Sequence, residues 1–388
     1  MTRIAHVIPC FLPSSETFIY TQLQAQATLE QVVVTRQTAN RERFPYQHVY
    51  DSSQLESSPR RERLARKARL LAHRANIYQR LIIAVARDHR SQVLHAHFGW
   101  SGVEAVLPAA RLDIPLVTAF HGSDVYVEPW HDHVTHQYRD LFRSGAVFTC
   151  VGPRAGDELV RRGCPRERLR IVPVGIDLAS FPYRETAPDG PFTVVQVSRL
   201  TAKKGIDLTL KAFADVRRTI PDAQLWLVGE GSERDELVTL SKRLGIADCV
   251  TFHGAVAHDK IQELMRMAHV GIQPSRVAPN GDQEGTPTVL LEFQAAGVDV
   301  VATRHADIPS IVAAPDALVP EGDAASLTRA IVHSATRSDA ARRERAAAAR
   351  AYVEQRHDAA RVAVQLAEVY REAGELGGQP RLCVLPRS

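Results

Sequence analysis

The sequence predicts an α/β protein made of two doubly wound parallel-sheet domains. Short runs of β-branched residues alternate with longer helical stretches, and the runs are nearly continuous in apolar residues, as in strands that are buried on both faces. The chain has 388 residues, about twice the usual domain of roughly 100–200 residues. A cluster of proline, glycine and aspartate at 177–191 interrupts the alternation and marks a linker.

The apolar runs give the predicted strands in chain order. In the first half these are residues 4–8, 32–35, 93–97, 116–120, 147–151 and 169–174. In the second half they are residues 193–197, 224–228, 250–252, 270–273 and 298–302. The last long segment, 340–374, is rich in alanine and other helix formers, and we expect one helix that ends at Gly374.

The linker defines the predicted domain organisation. A first domain covers residues 1–180 and a second covers 181–340, followed by a helix over 341–375 that crosses back to the first domain and a tail over 376–388. Ligands of doubly wound sheets bind beyond the carboxyl ends of the strands. Functional residues are therefore expected just after strands, in a cleft between the two domains.

Composition excludes several classes of protein. The chain is 45% hydrophobic and 24% charged, with a net charge of +4 that is too near balance for a nucleic-acid binder. No apolar run approaches the roughly 18 residues of a membrane span, and no cleavage site for a signal peptide follows the start. The five cysteines form no CxxC pair, which favours reduced thiols. These features predict a cytoplasmic protein.

Two glutamates, Glu284 and Glu292, flank a turn and the predicted start of a helix. Thr286 and Pro287 suit an N-cap and a first helical turn. This placement leaves free backbone N–H groups and the positive end of the helix dipole in the loop, where a phosphate can bind. Glu284 can accept hydrogen bonds from sugar hydroxyls, and Glu292, two turns along the helix, could reach a ribose. An isolated glutamate pair of this spacing is more often a solvated surface.

Cationic and glycine-containing motifs supply the context for these glutamates. Arg199 and Lys204 follow the first strand of the second half and suit a diphosphate, because arginine gives bidentate hydrogen bonds and lysine a mobile point charge. Gly229 and the pair His253 and Gly254 follow the next two strands. Glycine in such turns lets the backbone approach a nucleotide closely.

In order and spacing, these residues resemble the retaining nucleotide-sugar glycosyltransferases of family 4, whose GT-B fold has two facing Rossmann-like domains. The resemblance covers about residues 1–373 in architecture and is most specific over 193–310. The segments 15–19, 282–285 and 303–305 are typical of the transferases of exopolysaccharide and lipopolysaccharide type. The resemblance implies a nucleoside-diphosphate sugar as donor, carried by UDP or GDP, with no further cofactor.

The resemblance also implies a role for each motif residue of the second half. The residues concerned are Arg199 and Lys204 for the pyrophosphate, Glu284 for the hydroxyls of the transferred sugar, Gly285, Thr286 and Thr288 for sugar and phosphate, Glu292 for the ribose, and Gly229, His253 and Gly254 beside the base.

Two features of the first half are also implied to serve the donor. His121, directly after the strand 116–120, matches the family histidine that contacts the donor sugar near the reaction centre. The loop 13–17 lies where many members carry a glycine-rich loop under the diphosphate. This loop contains no glycine, so hydroxyls or amides of Ser14 and Ser15 would take its place.

These observations predict a retaining hexosyl-type glycosyltransferase that acts on a hydroxyl of a glycan, a lipid-linked glycan or a glycosylated metabolite. Arg199, Lys204 and a helix N-terminus would stabilise the leaving diphosphate, so no metal is predicted. Same-face attack is favoured over double displacement, because no carboxylate is an obvious nucleophile. A nucleotide-sugar epimerase of the same fold is the alternative. A nicotinamide oxidoreductase is excluded, because no GxGxxG follows the first strand.

Two further patterns in the sequence have the composition of possible sites. His95 and His97 share one face of a strand, and further histidines lie at 131–136, but no carboxylate or cysteine is spaced to complete a zinc site. The run 60–90 is strongly basic and carries apolar positions at helical spacing. It is either a solvated helix pair or a surface for peripheral contact with anionic lipid, where a lipid-linked acceptor would be found.

Overall fold

The computed structural model describes residues 2–13, 16–53, 76–126 and 132–376, without the side chains of 132–134. The chain divides into two compact units. The first unit comprises Met1–Gly175 together with Ala359–Ser388, and the second comprises Ile176–Asp358. Each unit contains a parallel sheet with helices on both faces, which is the doubly wound architecture that the sequence predicts.

The first unit contains the strands β1 (Arg3–Phe11), β2 (Glu30–Thr38), β3 (Val49–Asp51), β4 (Val93–His97), β5 (Leu116–Phe120), β6 (Val147–Cys150) and β7 (Leu169–Ile171). Its helices before residue 176 are α1 (Thr17–Ala25), α2 (Ile77–Asp88), α3 (Gly99–Leu112), α4 (Ser123–Tyr126), α5 (Asp132–Arg143) and α6 (Pro153–Arg161). The described strands pair in parallel in the order β3-β2-β1-β4-β5-β6-β7. The chain order therefore reverses between β1 and β4.

The second unit contains the strands β8 (Thr193–Val197), β9 (Gln224–Val228), β10 (Val250–Gly254), β11 (Val270–Gln273), β12 (Asp299–Thr303) and β13 (Leu318–Val319). Its helices are α7 (Ile206–Thr219), α8 (Arg234–Arg243), α9 (His258–Arg266), α10 (Thr288–Ala295), α11 (Ala324–Thr336) and α12 (Asp339–Arg356). The parallel order is β10-β9-β8-β11-β12-β13, with the reversal between β8 and β11. At such a reversal the neighbouring loops diverge and leave room for a ligand.

Every strand that the sequence predicts is present, with ends that shift by up to three residues. Two strands, β3 and β13, were not predicted. Both lie at the edges of their sheets and contain three and two residues. Such short segments show too little periodicity to be recognised without their neighbours.

The single helix predicted over 340–374 is wrong, because the chain forms two helices there. Helix α12 ends at Arg356, and α13 (Ala359–Glu375) begins three residues later. The carbonyl of His357 accepts a hydrogen bond from the amide of Ile176. Residues 357 and 358 pair with the backbone of Ile176, which interrupts the helix. Helix propensity cannot predict this interruption, because it depends on a segment distant in sequence. The boundaries between the two compact units lie after residues 175 and 358, whereas the sequence predicts a linker within 178–191 and a domain end at 340.

Several predicted features lie outside the described residues. These are Ser14, Ser15, the part of the basic run over 60–75 and the tail over 377–388. Among the described helices, none has the length and hydropathy that a membrane span would require.

Candidate functional site

The loops that follow β8 and β11 meet at the reversal of strand order in the second unit. The amide of Arg276 donates to the carbonyl of Lys203 over 2.9 Å. The ammonium of Lys203 donates to Oδ1 of Asp282 at 2.9 Å and to the carbonyl of Gln283 at 3.1 Å. At Gly205 the backbone approaches so closely that a Cβ would lie 2.1 Å from the carbonyl oxygen of Pro274. These contacts hold the two predicted donor-binding loops together.

Lys204 and Glu284 form an ion pair inside this junction, with 2.6 Å between Nζ and Oε1. The hydroxyl of Ser275 donates to the same oxygen at 3.0 Å. Burial raises the pKa of Glu284, but the charges of Lys204 and Lys203 and the hydrogen bonds outweigh burial, so that its pKa is lowered overall. Glu284 is therefore a carboxylate at neutral pH. No described residue donates to its Oε2, which leaves that oxygen for a sugar hydroxyl.

His305, for which the sequence predicts no role, forms a hydrogen bond with the backbone of Glu284. Nε2 of His305 accepts a hydrogen bond from the amide of Glu284 at 3.2 Å, and Nδ1 of His305 lies 2.8 Å from Oε1 of Glu321. A ring nitrogen that accepts cannot carry the proton, so Nδ1–H must donate to Glu321. The tautomer of His305 is thereby fixed, and the loop that carries Glu284 is anchored to the segment after β13.

Arg199 differs from Lys204 in its surroundings. Its side chain is exposed, and no hydrogen bond or ion pair holds the guanidinium within the part of the chain that the structure describes. It follows β8 directly, at the carboxyl end of the sheet. An unpaired guanidinium beside a strand reversal can bind an anion without first losing a protein partner.

Close approaches within the chain favour glycine at two positions: Gly229, which follows β9, and Gly254, which is the last residue of β10 because this strand extends two residues beyond its predicted end. Gly229 has φ of 131°, and a Cβ there would lie 2.0 Å from the carbonyl oxygen of Ser198. Gly254 also has a positive φ, of 69°. The ring of His253 packs edge-on against Trp226, and burial lowers the pKa of His253, with the charge of Lys260 adding to the shift. The turns thus shape the loop after β8.

The helix after Glu284 begins slightly later than the sequence predicts. Pro287 is the N-cap and Thr288 the first helical residue, so Thr286 does not cap the helix. The buried hydroxyl of Thr286 has no hydrogen-bond partner among the described residues and is available to a ligand, next to the half-buried Gly285. Burial raises the pKa of Glu292 to about 7, although a hydrogen bond from Thr288 opposes the shift.

In the first unit, His121 follows β5 in a loop that Asp124 organises. The Asp124 carboxylate accepts hydrogen bonds from the backbone amides of Gly99, His121 and Gly122 at 2.9–3.0 Å. Burial raises the pKa of Asp124 to about 6, while these hydrogen bonds oppose the shift. Asp124 was not predicted as a site residue, although its place three residues after His121 is the signal of a local backbone cap.

The ring of His121 is held by aromatic neighbours. Neither ring nitrogen has a hydrogen-bond partner among the residues described, and burial lowers the pKa of His121 to about 3. The rings of Phe18 and Phe98 lie tilted at 4.9 Å between centroids, and that of His97 lies parallel at 5.6 Å. His121 is therefore neutral at physiological pH, with one donor and one acceptor nitrogen available.

The strands beside this loop carry a buried histidine cluster. His6 on β1 joins His95 and His97 on β4, with ligand atoms within 4.8 Å of one another. The sequence paired only the two histidines of β4, because the contact with His6 depends on the parallel register of β1 and β4. The cluster contains three imidazoles and neither carboxylate nor thiolate, and one His6 nitrogen is hydrogen-bonded to His97 at 3.2 Å.

Comparison with protein families matches most of the chain. Residues 15–180 match the model for glycosyltransferase family 4, and residues 181–351 match the model for glycosyl transferases group 1. The chain is 32% identical over 251 residues to WcaL of Escherichia coli (strain K12), named for colanic acid biosynthesis. It is 28% identical over 252 residues to the amylovoran biosynthesis glycosyltransferase AmsK of Erwinia amylovora. These alignments cover 63% and 64% of this chain, and 62% of each relative.

Comparison with solved structures shows the same fold. The crystal structure of HepE from Anabaena in complex with UDP and glucose is similar over 96% of this chain and 100% of that one, with a TM-score of 0.76 and 19% identity.

Proposed function

This chain belongs to the family 4 glycosyltransferases of the GT-B fold, and on that premise we propose that it transfers a sugar from a nucleoside-diphosphate sugar to a hydroxyl acceptor with retention of configuration. The observation that carries the proposal is the arrangement at the β8–β11 reversal. The Arg199 guanidinium, which is exposed and held by no described residue, follows β8. The ion pair of Lys204 and Glu284 joins the loops after β8 and β11, and helix α10 begins four residues after Glu284. The named HepE complex contains UDP and glucose, which supports this class of donor.

Each element of the site has a task in this reaction. Arg199 and Lys204 bind the pyrophosphate, whose negative charge grows as the bond to the sugar breaks. Fixed positive groups stabilise that charge more in the transition state than in the ground state, and thereby accelerate the reaction. Because protein cations meet the leaving group, we propose that no metal ion is required.

Glu284 and His121 contact the transferred sugar in this proposal. Oε2 of Glu284, to which no described residue donates, accepts a hydrogen bond from a sugar hydroxyl, and neutral His121 forms a hydrogen bond with another hydroxyl through a ring nitrogen. Glu292 binds the ribose, and Gly285, Thr286 and Thr288 face sugar and phosphate. Glu284 is engaged by Lys204 and Ser275 and is therefore a poor nucleophile. We infer that the acceptor attacks from the face that the diphosphate leaves, with the departing phosphate as base.

The acceptor is proposed to be a growing glycan, and exopolysaccharide biosynthesis is the proposed setting, because WcaL and AmsK are named for such polymers. A lipid-linked acceptor would bring the protein to a membrane, and the basic run 60–90 suits contact with anionic lipid. Sedimentation with anionic and neutral vesicles at low and high salt tests this contact. Equal binding to both vesicle types would contradict it.

Transfer from UDP- and GDP-sugars, measured with purified protein and an acceptor panel, tests the function. Donors can first be ranked by thermal stabilisation at one fixed concentration, because a ligand that binds the native state stabilises it more the lower its dissociation constant. Glu284→Gln and Arg199→Ala are expected to lose most of the transfer, whereas Arg243→Ala, an exposed arginine on α8, retains it. Equal turnover by all three variants would refute the assignment. Conversion of the donor without acceptor would instead favour an epimerase, which no observation above favours.

A further inference from the structure

The buried histidines behind His121 are ordered by one glutamine. The amide nitrogen of Gln31 donates to the carbonyls of Leu23 and Gln26, both at 3.0 Å. Its oxygen must therefore face the other way, and it lies 3.1 Å from Nε2 of His6. An amide oxygen only accepts, so Nε2 of His6 carries a proton.

The position of the proton on His6 determines which ring nitrogen of His97 carries its proton. Burial lowers the pKa of His6 to about 4, although the hydrogen bond to Gln31 opposes the shift, so the ring is neutral at pH 7 and carries one proton. Nδ1 of His6 therefore carries no proton and can only accept a hydrogen bond. It lies 3.2 Å from Nε2 of His97. His97 must donate from Nε2. Burial also lowers the pKa of His97, so its Nδ1 carries no proton.

The ordered ring of His97 lies against the ring of His121. The two planes are within 10° of parallel, whereas Phe18 and Phe98 meet His121 at 53° and 69°. His121 has no hydrogen bond of its own at either ring nitrogen among the described residues. Its ring plane is therefore set by its packing partners, and His97 is the partner whose ring is nearly parallel to it, with 5.6 Å between the centroids.

We propose that His97 is a positioning residue for His121, and that the chain Gln31–His6–His97 fixes the tautomer and plane of His97. The inference rests on the proposed function, in which His121 contacts the transferred sugar. A contact of this kind loses about 100-fold in rate when the reacting groups shift by roughly 1 Å. The hydrogen bond between His6 on β1 and His97 on β4 thus helps to orient His121, the residue that contacts the sugar in the proposed function.

Histidine-selective ¹⁵N NMR tests the support directly, because long-range couplings show which ring nitrogen carries the proton. In the wild-type protein both His6 and His97 are expected to be protonated at Nε2. His6→Phe removes the acceptor for His97, so we expect a mixture of His97 tautomers and shifted His121 signals. His6→Gln can accept from His97 and donate to Gln31, and should keep the wild-type signals of His97 and His121. His48→Phe, an exposed histidine in the same unit, is the matched control.

Sugar transfer by the same variants provides the second measurement. We expect kcat to fall about 10-fold or more in His6→Phe and to stay within about twofold in His6→Gln and His48→Phe. If His6→Phe does not fold, Gln31→Met removes the anchor from the other end, with the same expected change in the His121 signals. If the wild-type protein transfers no sugar, the proposed function fails, and the spectra still decide whether His97 orders His121.

Three results would overturn the inference. The first is a proton on Nδ1 of either His6 or His97 in the wild-type protein. The second is an unchanged His121 spectrum in both His6→Phe and Gln31→Met. The third is a stoichiometric metal ion, measured by elemental analysis and lost in His6→Phe, because a metal would replace the hydrogen bond between His6 and His97.

Discussion

Lys204 and Glu284 are joined by a largely buried ion pair, with 2.6 Å between Nζ and Oε1. The two residues belong to loops after neighbouring strands, β8 and β11, so the parallel sheet brings them together. The cation that sequence reasoning assigned to phosphate thus already has a carboxylate partner. An isolated charge at this place would be unfavourable, because burial penalises each ion that lacks an opposite charge.

Removing the carboxylate of Glu284 should reduce the stability of the fold, because the charge of Lys204 then loses its partner. We predict that Glu284→Gln lowers the free energy of unfolding by about 3 kcal/mol at pH 7, because Lys204 is left without an opposite charge. Urea unfolding measures the change. The double variant Lys204→Met with Glu284→Gln should recover most of it. Glu263→Gln is the control, since Glu263 forms a half-exposed pair with Lys260, and such pairs contribute little to stability. A loss in Glu284→Gln no larger than in Glu263→Gln would contradict the prediction.

The ion pair also has a pH signature. The pKa of Glu284 is lowered in the folded state from its usual value of 4.5. The stabilisation is therefore present above pH 4.5 and is lost as the pH falls through the folded pKa. The difference in unfolding free energy between wild-type protein and Glu284→Gln should shrink in acid.

Arg199 is expected to affect binding and not folding. Because its guanidinium is exposed and has no partner among the described residues, Arg199→Ala should change the free energy of unfolding by less than about 0.5 kcal/mol. Its affinity for a nucleoside diphosphate should fall about 10- to 100-fold, the effect of one charged hydrogen-bonding group. Calorimetric titration with UDP and GDP measures this change. Arg199→Lys should restore part of the affinity, and Arg243→Ala should bind as the wild type does.

A half-buried glutamate in α10, Glu292, should make stability depend on pH near neutrality. Burial raises the pKa of Glu292 to about 7 from 4.5. For an acid with a raised folded pKa, the stabilisation present below pH 4.5 is lost as the pH rises towards 7. Relative to Glu292→Gln, the wild-type protein should lose up to about 3 kcal/mol of unfolding free energy over this range. Parallel unfolding curves of the two proteins at all pH values would show that Glu292 titrates normally.

The fold, and where half of the candidate site residues lie relative to the strands, could be predicted from the sequence for one physical reason. Buried parallel strands are apolar along their whole length, so they are visible as runs, and residues placed directly after them must meet at one sheet edge. The loops that carry Arg199, Lys204 and Glu284 were assigned to one sheet edge in this way, and the roles of the three residues stay predictions. Gln31 and His6 were not found, since their roles depend on the register between β1 and its neighbours and on side-chain polarity. No one-dimensional pattern contains that information.

Asp124 should govern the loop that carries His121. Its carboxylate accepts hydrogen bonds from three backbone amides. Burial raises its pKa to about 6, so the carboxylate is ionised at pH 8. In Asp124→Asn one oxygen is replaced by an amide nitrogen, which is a donor and cannot accept from a backbone N–H. At least one buried amide then loses its acceptor, and we predict a loss of about 1–3 kcal/mol in unfolding free energy at pH 8.

The same variant should also disturb the ring of His121, because the His121 amide is one of the three donors. We expect its ¹⁵N ring signals to shift and sugar transfer to fall, mainly in kcat if His121 acts in the transition state. Asp113→Asn is the matched control: Asp113 is exposed in the same unit and has a left-handed backbone, which asparagine tolerates. If Asp124→Asn proves as stable and as active as this control, then the three amide contacts do not position His121, and its aromatic neighbours alone hold the ring in place.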